Sequence, residues 1–462
     1  MSGAGLFSAL ALDLSPLRTS RSFRLLFAGR VVSLVGLGLL VVALPVQVYA
    51  LTGTSLHVAG VSTTLGVAAF AGTLVAGVVT DRTDRRRVIL WSRSAATVGF
   101  VALLVNSLAD SPSVAAIYVI AAWDGLAGGF SVVALAAAVP SLVPRGQLPA
   151  VAALQAVSLD VGAVVSPLVA GVAIAHGGSS PVFAAVVVAS VVSLGFLVRL
   201  PPLPSGGEVT STRRSRPWDD LVEGLRFVTT DRVIGGVVGL GFVQILFASP
   251  HVLVPELVDT QLGAGPEVVG LLFSAPAVGA LVATLTSGWT GRVRRTGRLL
   301  LIVLAASGAG VAVLGLSQSV VLAVIAMTLV GAGDVLGEIL RFTLLYERTP
   351  DHLRGRVSAL WTAQGTAGDA LGGPLLTLAA RTLGAGGAIA LGGALAVVAT
   401  GLVALAVPGL RRAVTGPDPA LDDHHEPSPQ PVDASVGPTR ADPSVGPTRA
   451  DASVGPTRGE NP

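Results

Sequence analysis

Cysteine and lysine are both absent from the 462-residue sequence. Without cysteine the chain can form no disulfide, no thiolate metal site and no cysteine nucleophile. Without lysine it contains no phosphate-binding loop of the GxxxxGK[ST] type, so we expect no ATP-driven step within this chain. The histidines His57, His176 and His251 are far apart in sequence. We therefore expect neither a metal site nor a cofactor.

Charged residues are also scarce. They make up 12% of the chain, whereas soluble globular proteins contain about 25%. Hydrophobic residues make up 52%, and the mean hydropathy is +0.75. This composition excludes a soluble protein and predicts a chain that crosses a lipid bilayer many times.

Twelve continuous apolar runs are each long enough to cross the bilayer, which takes about 20 helical residues. Strands of a membrane β-barrel would instead alternate apolar and polar residues, and these runs do not. The sequence predicts an all-α membrane protein with twelve transmembrane helices. The predicted spans are 23–51, 55–79, 88–108, 113–139, 149–175, 181–200, 233–257, 267–290, 299–317, 320–345, 356–380 and 385–407.

The arginines predict the orientation. All 30 basic residues are arginine, and 26 of them fall in loops or termini on one face, against Arg381 alone on the other. Cytoplasmic loops carry the excess of positive charge, so both termini are expected in the cytoplasm and the bilayer is expected to be the inner (cytoplasmic) membrane. This topology accounts for the net charge of +3, and we expect no nucleic-acid partner.

The spans fall into two groups of six. The predicted segments are a cytoplasmic N-terminus (1–22), an N-terminal six-helix bundle (23–200), a cytoplasmic linker (201–232), a C-terminal six-helix bundle (233–407) and a cytoplasmic tail (408–462). The tail contains SVGPTR three times and too little apolar surface to bury a core, so we expect it to be disordered.

The two groups resemble each other at a nearly constant offset. Asp124 in span 4 corresponds to Asp334 in span 10, and Gly77 after span 2 corresponds to Gly288 after span 8. Parallel six-helix repeats around a central site are typical of secondary transporters that work by alternating access. The pattern predicts two six-helix pseudo-repeats and a transport function.

Ionisable residues inside the spans are candidates for that function, because a charge in hydrocarbon costs several kcal/mol unless it faces the bundle interior. They are Arg30, Asp124, Asp160, Asp334, Glu338, Arg341 and Asp369. For Asp160 and Asp369 we favour a structural role.

Asp334, Glu338 and Arg341 share one face of span 10, where two acids and a base can exchange a proton. The alternative is that Arg341 only neutralises Glu338, three residues away. Asp124 is a second proton-coupling candidate and also a candidate for substrate contact. The alternative to both roles is that Asp124 is the fixed partner of Arg30 or of another buried donor.

Polar and aromatic side chains within the spans are candidates for substrate contact. Glutamines offer neutral hydrogen bonds and tryptophans can stack on an aromatic ligand, although helix packing and core filling are equally compatible with these residues. The predicted substrate-binding set is Arg30, Asp124, Trp123, Gln47, Gln244, Trp361 and Gln364.

The loop GVVTDRTDRRR, Gly77 to Arg87, resembles the signature between helices 2 and 3 of the major facilitator superfamily. Asp84 stands where that family usually has glycine, so the turn is expected to differ. The resemblance implies a cytoplasmic gate formed by Gly77, Asp81, Arg82 and Arg87, with Asp81 at the N-terminus of helix 11. The alternative is that the arginines only anchor the topology.

Gly162, Ser166, Pro167 and Gly171 in span 5 resemble the glycine and proline signature of proton antiporters in the same superfamily, with serine in place of one glycine. This signature favours export over import.

More narrowly, residues 37–55, 118–125 and 355–373 resemble the enterobactin-exporter group of the superfamily. The resemblance implies proton-driven efflux of a siderophore, with the small-molecule substrate, protons and the lipid bilayer as partners. A general multidrug exporter of the same fold is the alternative. A membrane-embedded enzyme would need a nucleophile with its base or a metal cluster within the bilayer, and the sequence suggests neither, so we expect no enzymatic activity.

Overall fold

The computed structural model describes residues 13–203, 225–350 and 353–414. Within these ranges the regular structure is helical, and eleven helices are long and apolar enough to cross a membrane. The all-helical fold predicted from the sequence is confirmed. Most of the predicted linker and tail lies outside the described residues.

Six helices form the N-terminal half. Several begin at a side chain that caps the free backbone amides: the Ser20 hydroxyl accepts a hydrogen bond from the amide of Phe23 at 3.1 Å. The helices are α1 (Arg21–Thr52), α2 (Ser55–Arg82), α3 (Arg85–Leu108), α4 (Val114–Ala138), α5 (Leu148–Gly177) and α6 (Ser179–Leu197).

The C-terminal half repeats this arrangement. Its helices are α7a (Arg232–Phe247), α7b (Val254–Thr260), α8 (Pro266–Thr286), α9 (Thr296–Leu316), α10 (Val320–Arg348) and a long helix over Arg354–Ala406. The long helix is interrupted at Gly384, where φ is +71°. We call residues 354–383 α11 and residues 385–406 α12, so each predicted span has a helical counterpart.

The seventh span departs from the prediction, which treated 233–257 as one continuous helix. The helix ends at Phe247, a single 3-10 turn follows over Pro250–Val252, and α7b starts at Val254. Pro250 explains the break, because proline has no backbone N–H and its ring clashes with the preceding turn of a helix. The break places His251 on the cavity between the two halves.

Within each half, the second and fourth helices pack backbone to backbone. A Cβ atom at Gly129 of α4 would overlap the Ala69 carbonyl oxygen of α2, and a Cβ atom at Gly331 of α10 would overlap the Pro276 carbonyl oxygen of α8. Small residues permit this close approach of membrane helices. The same contact in both halves agrees with the predicted pseudo-repeat.

Three helix connections on one side of the bundle are extremely short. Gly53, Gly178 and Gly384 each join two spanning helices with a positive φ, between +63° and +72°. Glycine adopts this conformation without the steric cost that other residues incur. We call this side of the bundle the distal end, and the side with the arginine-rich loops the basic end.

The two halves are joined at the distal end. The backbones of Gly171 in α5 and Gly270 in α8 touch there, and α2 packs on α11, where the Thr63 hydroxyl donates a hydrogen bond to the Ala370 carbonyl oxygen at 3.1 Å. Toward the basic end, by contrast, Val75 and Val78 of α2 are more than half exposed. The cavity between the halves is therefore closed distally and open toward the basic end.

Candidate transport site

An apolar groove of about 680 Å³ lies between the two halves near the distal closure. One row of α1, including Leu34, Leu37 and Val41, forms its wall, and His251 and Phe273 contribute from the C-terminal half. These α1 residues recur at three- and four-residue steps, which places them on one helix face. The groove suits a ligand with a large apolar or aromatic surface.

The four residues of the antiporter-like signature occupy two locations. Gly162 and Pro167 line the apolar groove. Ser166 packs against Gly38 of α1, where an added Cβ would collide with the serine side chain, and Gly171 lies at the contact with Gly270. The signature therefore lies where the two halves meet, and its role in antiport stays a prediction.

Two arginines lie within the N-terminal half, nearer to the basic end than Leu34. Arg30 occupies the α1 row one turn before Leu34, and Arg93 extends from α3 to donate a hydrogen bond to the Ser33 hydroxyl. The Nε atoms of both arginines are buried without a hydrogen-bond partner. Among the described residues, no carboxylate forms an ion pair with either guanidinium group. The pair therefore carries positive charge that no described carboxylate neutralises.

Arg93 was not among the candidates predicted from the sequence, because the predicted span started at residue 88 and placed it near the membrane surface. The helix in fact starts at Arg85, so Arg93 lies two turns inside. An arginine in an otherwise apolar helix was the available signal. Asp124, the predicted alternative partner of Arg30, forms no ion pair with it among the described residues.

Asp124 instead faces α3. A Cβ atom at Gly99 would overlap its carboxylate, and its Oδ1 atom is buried without a hydrogen-bond partner. A buried carboxylate without partners is costly, because it has lost the hydrogen bonds that water would provide. Asp124 thus contacts an outer helix, and its role in proton coupling stays a prediction.

The structure corrects the placement of Trp123 in the cavity. Its indole Nε1 donates a hydrogen bond to the Ala95 carbonyl oxygen of α3 at 2.7 Å. The ring lines a separate groove between α2, α3 and α4. Arg87 and Trp91 of α3 line the same groove. Hydrophobicity alone does not distinguish a helix face that points to lipid from one that points to the cavity.

The C-terminal half contains a polar pocket of about 220 Å³ next to the cavity. Asp334 lies 14 residues from either end of α10, and its Oδ1 atom accepts a hydrogen bond from the Ser307 hydroxyl of α9 at 3.0 Å. The principal polar residues that line this pocket are Gln244, His251, Asp334, Glu338, Arg341 and Asp369. The structure thus places three of the predicted membrane-embedded acids on one pocket.

Arg341 and Glu338 form an ion pair, with Arg341 Nη1 3.7 Å from Glu338 Oε2. Trp361 of α11 supports both partners, because its indole donates a hydrogen bond to Glu338 Oε1 at 3.3 Å and its ring centroid lies 5.6 Å from the Arg341 guanidinium carbon. The pairing that the sequence offered as the alternative for Arg341 is therefore present. Asp334 lies one turn away from Glu338 and forms no ion pair with Arg341 among the described residues, and its part in proton exchange stays a prediction.

The predicted glutamines differ in their hydrogen bonds. Gln244 donates to the Leu304 carbonyl oxygen at 3.2 Å and thus connects α7a to α9. Gln364 is buried, and within the described part of the chain neither of its side-chain polar atoms has a hydrogen-bond partner; the same holds for the Oε1 atom of Gln47. Buried polar groups normally have partners, so Gln364 and Gln47 retain capacity for a ligand.

The loop between α2 and α3 holds its turn through Asp84. This carboxylate accepts hydrogen bonds from the amides of Arg86 at 2.9 Å and Leu203 at 3.1 Å, which caps α3 and attaches the segment after α6. Asp81 and Arg82 are exposed at the end of α2, close to Gly77, whose added Cβ would meet no atom. Between the described residues, Asp81 makes no hydrogen bond or ion pair with α11, and the implied gate contact stays a prediction.

The distal closure includes two hydrogen bonds to acidic residues of α7b. The Tyr49 hydroxyl of α1 donates to Asp259 Oδ2 at 3.1 Å, and the first amide of α2, at Ser55, donates to Glu256 Oε2 at 3.2 Å. A carboxylate at a helix N-terminus is stabilised by the helix dipole. The sequence did not predict this closure, since the partners are far apart along the chain.

Two six-helix halves around a cavity with membrane-embedded charges define a multi-pass membrane transporter. Residues 11–440 match the family described as transmembrane secretion effector, and the chain belongs to this family of the major facilitator superfamily. It is 36% identical over 366 residues to the enterobactin exporter EntS of Shigella boydii serotype 18, which covers 79% of this chain and 86% of that protein. EntS of Escherichia coli O81 is also 36% identical, over 367 residues.

Solved structures of transporters share the fold at low sequence identity. The nucleoside transporter NupG matches with a TM-score of 0.68 at 12% identity, over 83% of this chain and 98% of that chain. A bacterial homologue of the iron transporter ferroportin, in an inward-facing state, matches with a TM-score of 0.61 at 17% identity, over 82% and 98%. These likenesses confirm the major facilitator fold.

Proposed function

We propose that this transporter is a proton-coupled exporter of a siderophore, of the catecholate type, that works by alternating access in the inner membrane. The observation that carries the proposal is the 36% identity to proteins named as enterobactin exporters, which extends over 79% of this chain. An alignment of 366 residues is too long to lie within one half and therefore includes residues of both halves of the transporter.

The orientation follows from the arginines. With the basic end in the cytoplasm, both termini are cytoplasmic, as the excess of arginine in its loops indicates. The cavity then opens to the cytoplasm and is closed toward the outside. This is the state in which an exporter loads its substrate.

The cavity offers both kinds of contact that a catecholate needs. Aromatic rings fit the apolar groove along α1, and acidic hydroxyl groups fit the guanidinium groups of Arg30 and Arg93, which form no ion pair among the described residues. Charged hydrogen bonds in a site of low dielectric are the stronger ones. Gln364 and Trp361 supply further contacts on the side of the C-terminal half.

Proton coupling is assigned to the polar pocket, with Asp124 as its counterpart in the N-terminal half. When the cavity closes and water leaves, Asp334 favours its protonated form. Movement of Arg341 from Glu338 toward Asp334, one turn along the same face, would favour loss of that proton. Substrate and proton then bind in alternation within one conformational cycle, and antiport requires this alternation.

The proposal is tested in proteoliposomes that contain the purified chain, with iron-free enterobactin as the substrate and an imposed pH gradient. Uphill movement of the siderophore that depends on the gradient is expected. A cationic dye serves as the comparison, because the largely apolar groove also favours the alternative of general multidrug export. Transport of the dye without the siderophore would support that alternative, and transport of neither compound would overturn both.

A further inference from the structure

A second large groove lies on the outer side of the C-terminal half, between α9 and α12. Its volume is about 980 Å³, and it is remote from the cavity residues of the proposed transport cycle. Arg295, Arg298, Arg411 and Arg412 surround its basic end. Deeper along the two helices, apolar residues such as Ile302 form its wall.

The groove is built by a docked turn at the end of α12. Leu410 is fully buried and packs on Gly297, where an added Cβ would overlap the Leu410 carbonyl oxygen. The Gly297 amide also donates a hydrogen bond to the Ala413 carbonyl oxygen at 3.3 Å. This docking fixes Arg411 and Arg412 beside the two arginines at the start of α9.

The four arginines are exposed and uncompensated within the described part of the chain. No hydrogen bond or ion pair between described residues engages their guanidinium groups, and no acidic side chain lines the groove. Like charges held together repel one another, and a bound anion relieves this repulsion. The groove lies at the membrane surface, and its apolar walls extend toward the bilayer centre. An anion that carries a long apolar chain therefore fits it.

We propose that this groove binds one anionic phospholipid. The phosphate lies among the four arginines, because the planar guanidinium group forms two parallel hydrogen bonds to phosphate oxygens. One acyl chain lies along Ile302, which is 57% exposed, and over Gly401, which leaves open space on the helix surface. Basic pockets between transmembrane helices are known binding sites for acidic lipid headgroups. This inference is independent of the proposed substrate.

The test is native mass spectrometry of the full chain, delipidated in detergent and titrated with dioleoyl phosphatidylglycerol or dioleoyl phosphatidylcholine. We expect the first phosphatidylglycerol to bind about tenfold more tightly than phosphatidylcholine. This ratio corresponds to a difference in binding free energy of about 1.4 kcal/mol. The double variant Arg411→Gln/Arg412→Gln should lose most of this preference. Gly401→Phe should weaken lipid binding without any change in charge, since it fills the seat of the acyl chain.

The matched control is Arg145→Gln/Arg199→Gln, which removes two exposed arginines elsewhere at the basic end. It should bind phosphatidylglycerol like the wild type. Equal losses in both double variants would mean diffuse attraction, and unchanged binding by Gly401→Phe would mean that no acyl chain occupies the groove; either result overturns the proposal. So would displacement of the lipid by an equal concentration of inorganic phosphate, because the acyl chain would then contribute nothing. A large gain in lipid binding by Asp422→Asn/Asp423→Asn would assign the groove to the chain's own acidic tail and would also overturn the proposal.

Discussion

The hydroxyl of Tyr49 in α1 and the carboxylate of Asp259 in α7b form a hydrogen bond of 3.1 Å that joins the two halves at the distal end. We expect Tyr49→Phe to destabilise this closure. The net contribution of such a bond is about 0.5–1.5 kcal/mol, so the ratio of distally closed to open molecules should fall roughly two- to tenfold.

This prediction can be measured with spin labels at Leu51→Cys and Leu383→Cys, two exposed positions at the distal end in different halves. The chain has no cysteine of its own, so the labels need no background substitutions. Tyr118→Phe is the control, because the Tyr118 hydroxyl bonds to His57 within one half. Equal distance distributions for Tyr49→Phe and the wild type would contradict a role of this bond in closure.

Arg93→Gln and Arg30→Gln should weaken binding of an acidic substrate. Each variant removes a charged hydrogen-bond donor, worth about 1.5–3 kcal/mol, so the dissociation constant should rise roughly ten- to a hundredfold. The measurement is equilibrium binding of a catecholate siderophore to purified protein. Affinity for a neutral aromatic compound provides the control and should stay unchanged; a parallel loss for both ligands would indicate general damage to the site.

Asp334→Asn should abolish uphill efflux driven by a pH gradient but preserve exchange of substrate down its own gradient, because asparagine cannot carry a proton. Both activities are measured in proteoliposomes. Ser307→Ala is the matched control, since it removes the hydrogen bond to Asp334 and keeps the acid. If Asp334→Asn retains proton-driven transport, the proton site lies elsewhere, and Asp124 becomes the candidate.

The two tryptophans predicted as ligand contacts should behave differently. Trp361→Phe removes the hydrogen bond to Glu338 and weakens the contact with Arg341, and we expect it to reduce proton-coupled transport severalfold, about the effect of 1 kcal/mol. Trp123→Phe lies outside the cavity and should leave substrate affinity unchanged. Proton-driven transport in proteoliposomes tests the first variant and titration with the siderophore tests the second, where a loss of affinity in Trp123→Phe would contradict the corrected placement.

Asp81→Asn should slow transport and leave substrate affinity nearly intact, because Asp81 lies at the end of α2 away from the cavity. The expected physical reason is a weaker contact with the N-terminus of α11 when the basic end closes. Transport rate and equilibrium binding are measured on the same preparation, with Asp84→Asn as a comparison that alters the loop turn instead. A large loss of binding affinity would refute the gate assignment.

Hydropathy predicted the helices well because the thickness of the bilayer sets a minimum length for each apolar run. It did not predict the break at Pro250, since the polar neighbours Ser249 and His251 are too few to interrupt a segment that is otherwise apolar. It also could not orient Trp123, because lipid and the bundle interior are equally apolar. Charged residues were more informative: the positions of Asp334, Glu338 and Arg341 along α10 indicated a shared site, and the structure places all three on one pocket.

At the distal end, three of the helix connections consist of only one or two residues, at Gly53, Gly178 and Gly384. With the orientation that we propose, this end faces the exterior of the membrane. Such a face offers little for a protease to cleave or an antibody to recognise, and little for an accessory protein to hold.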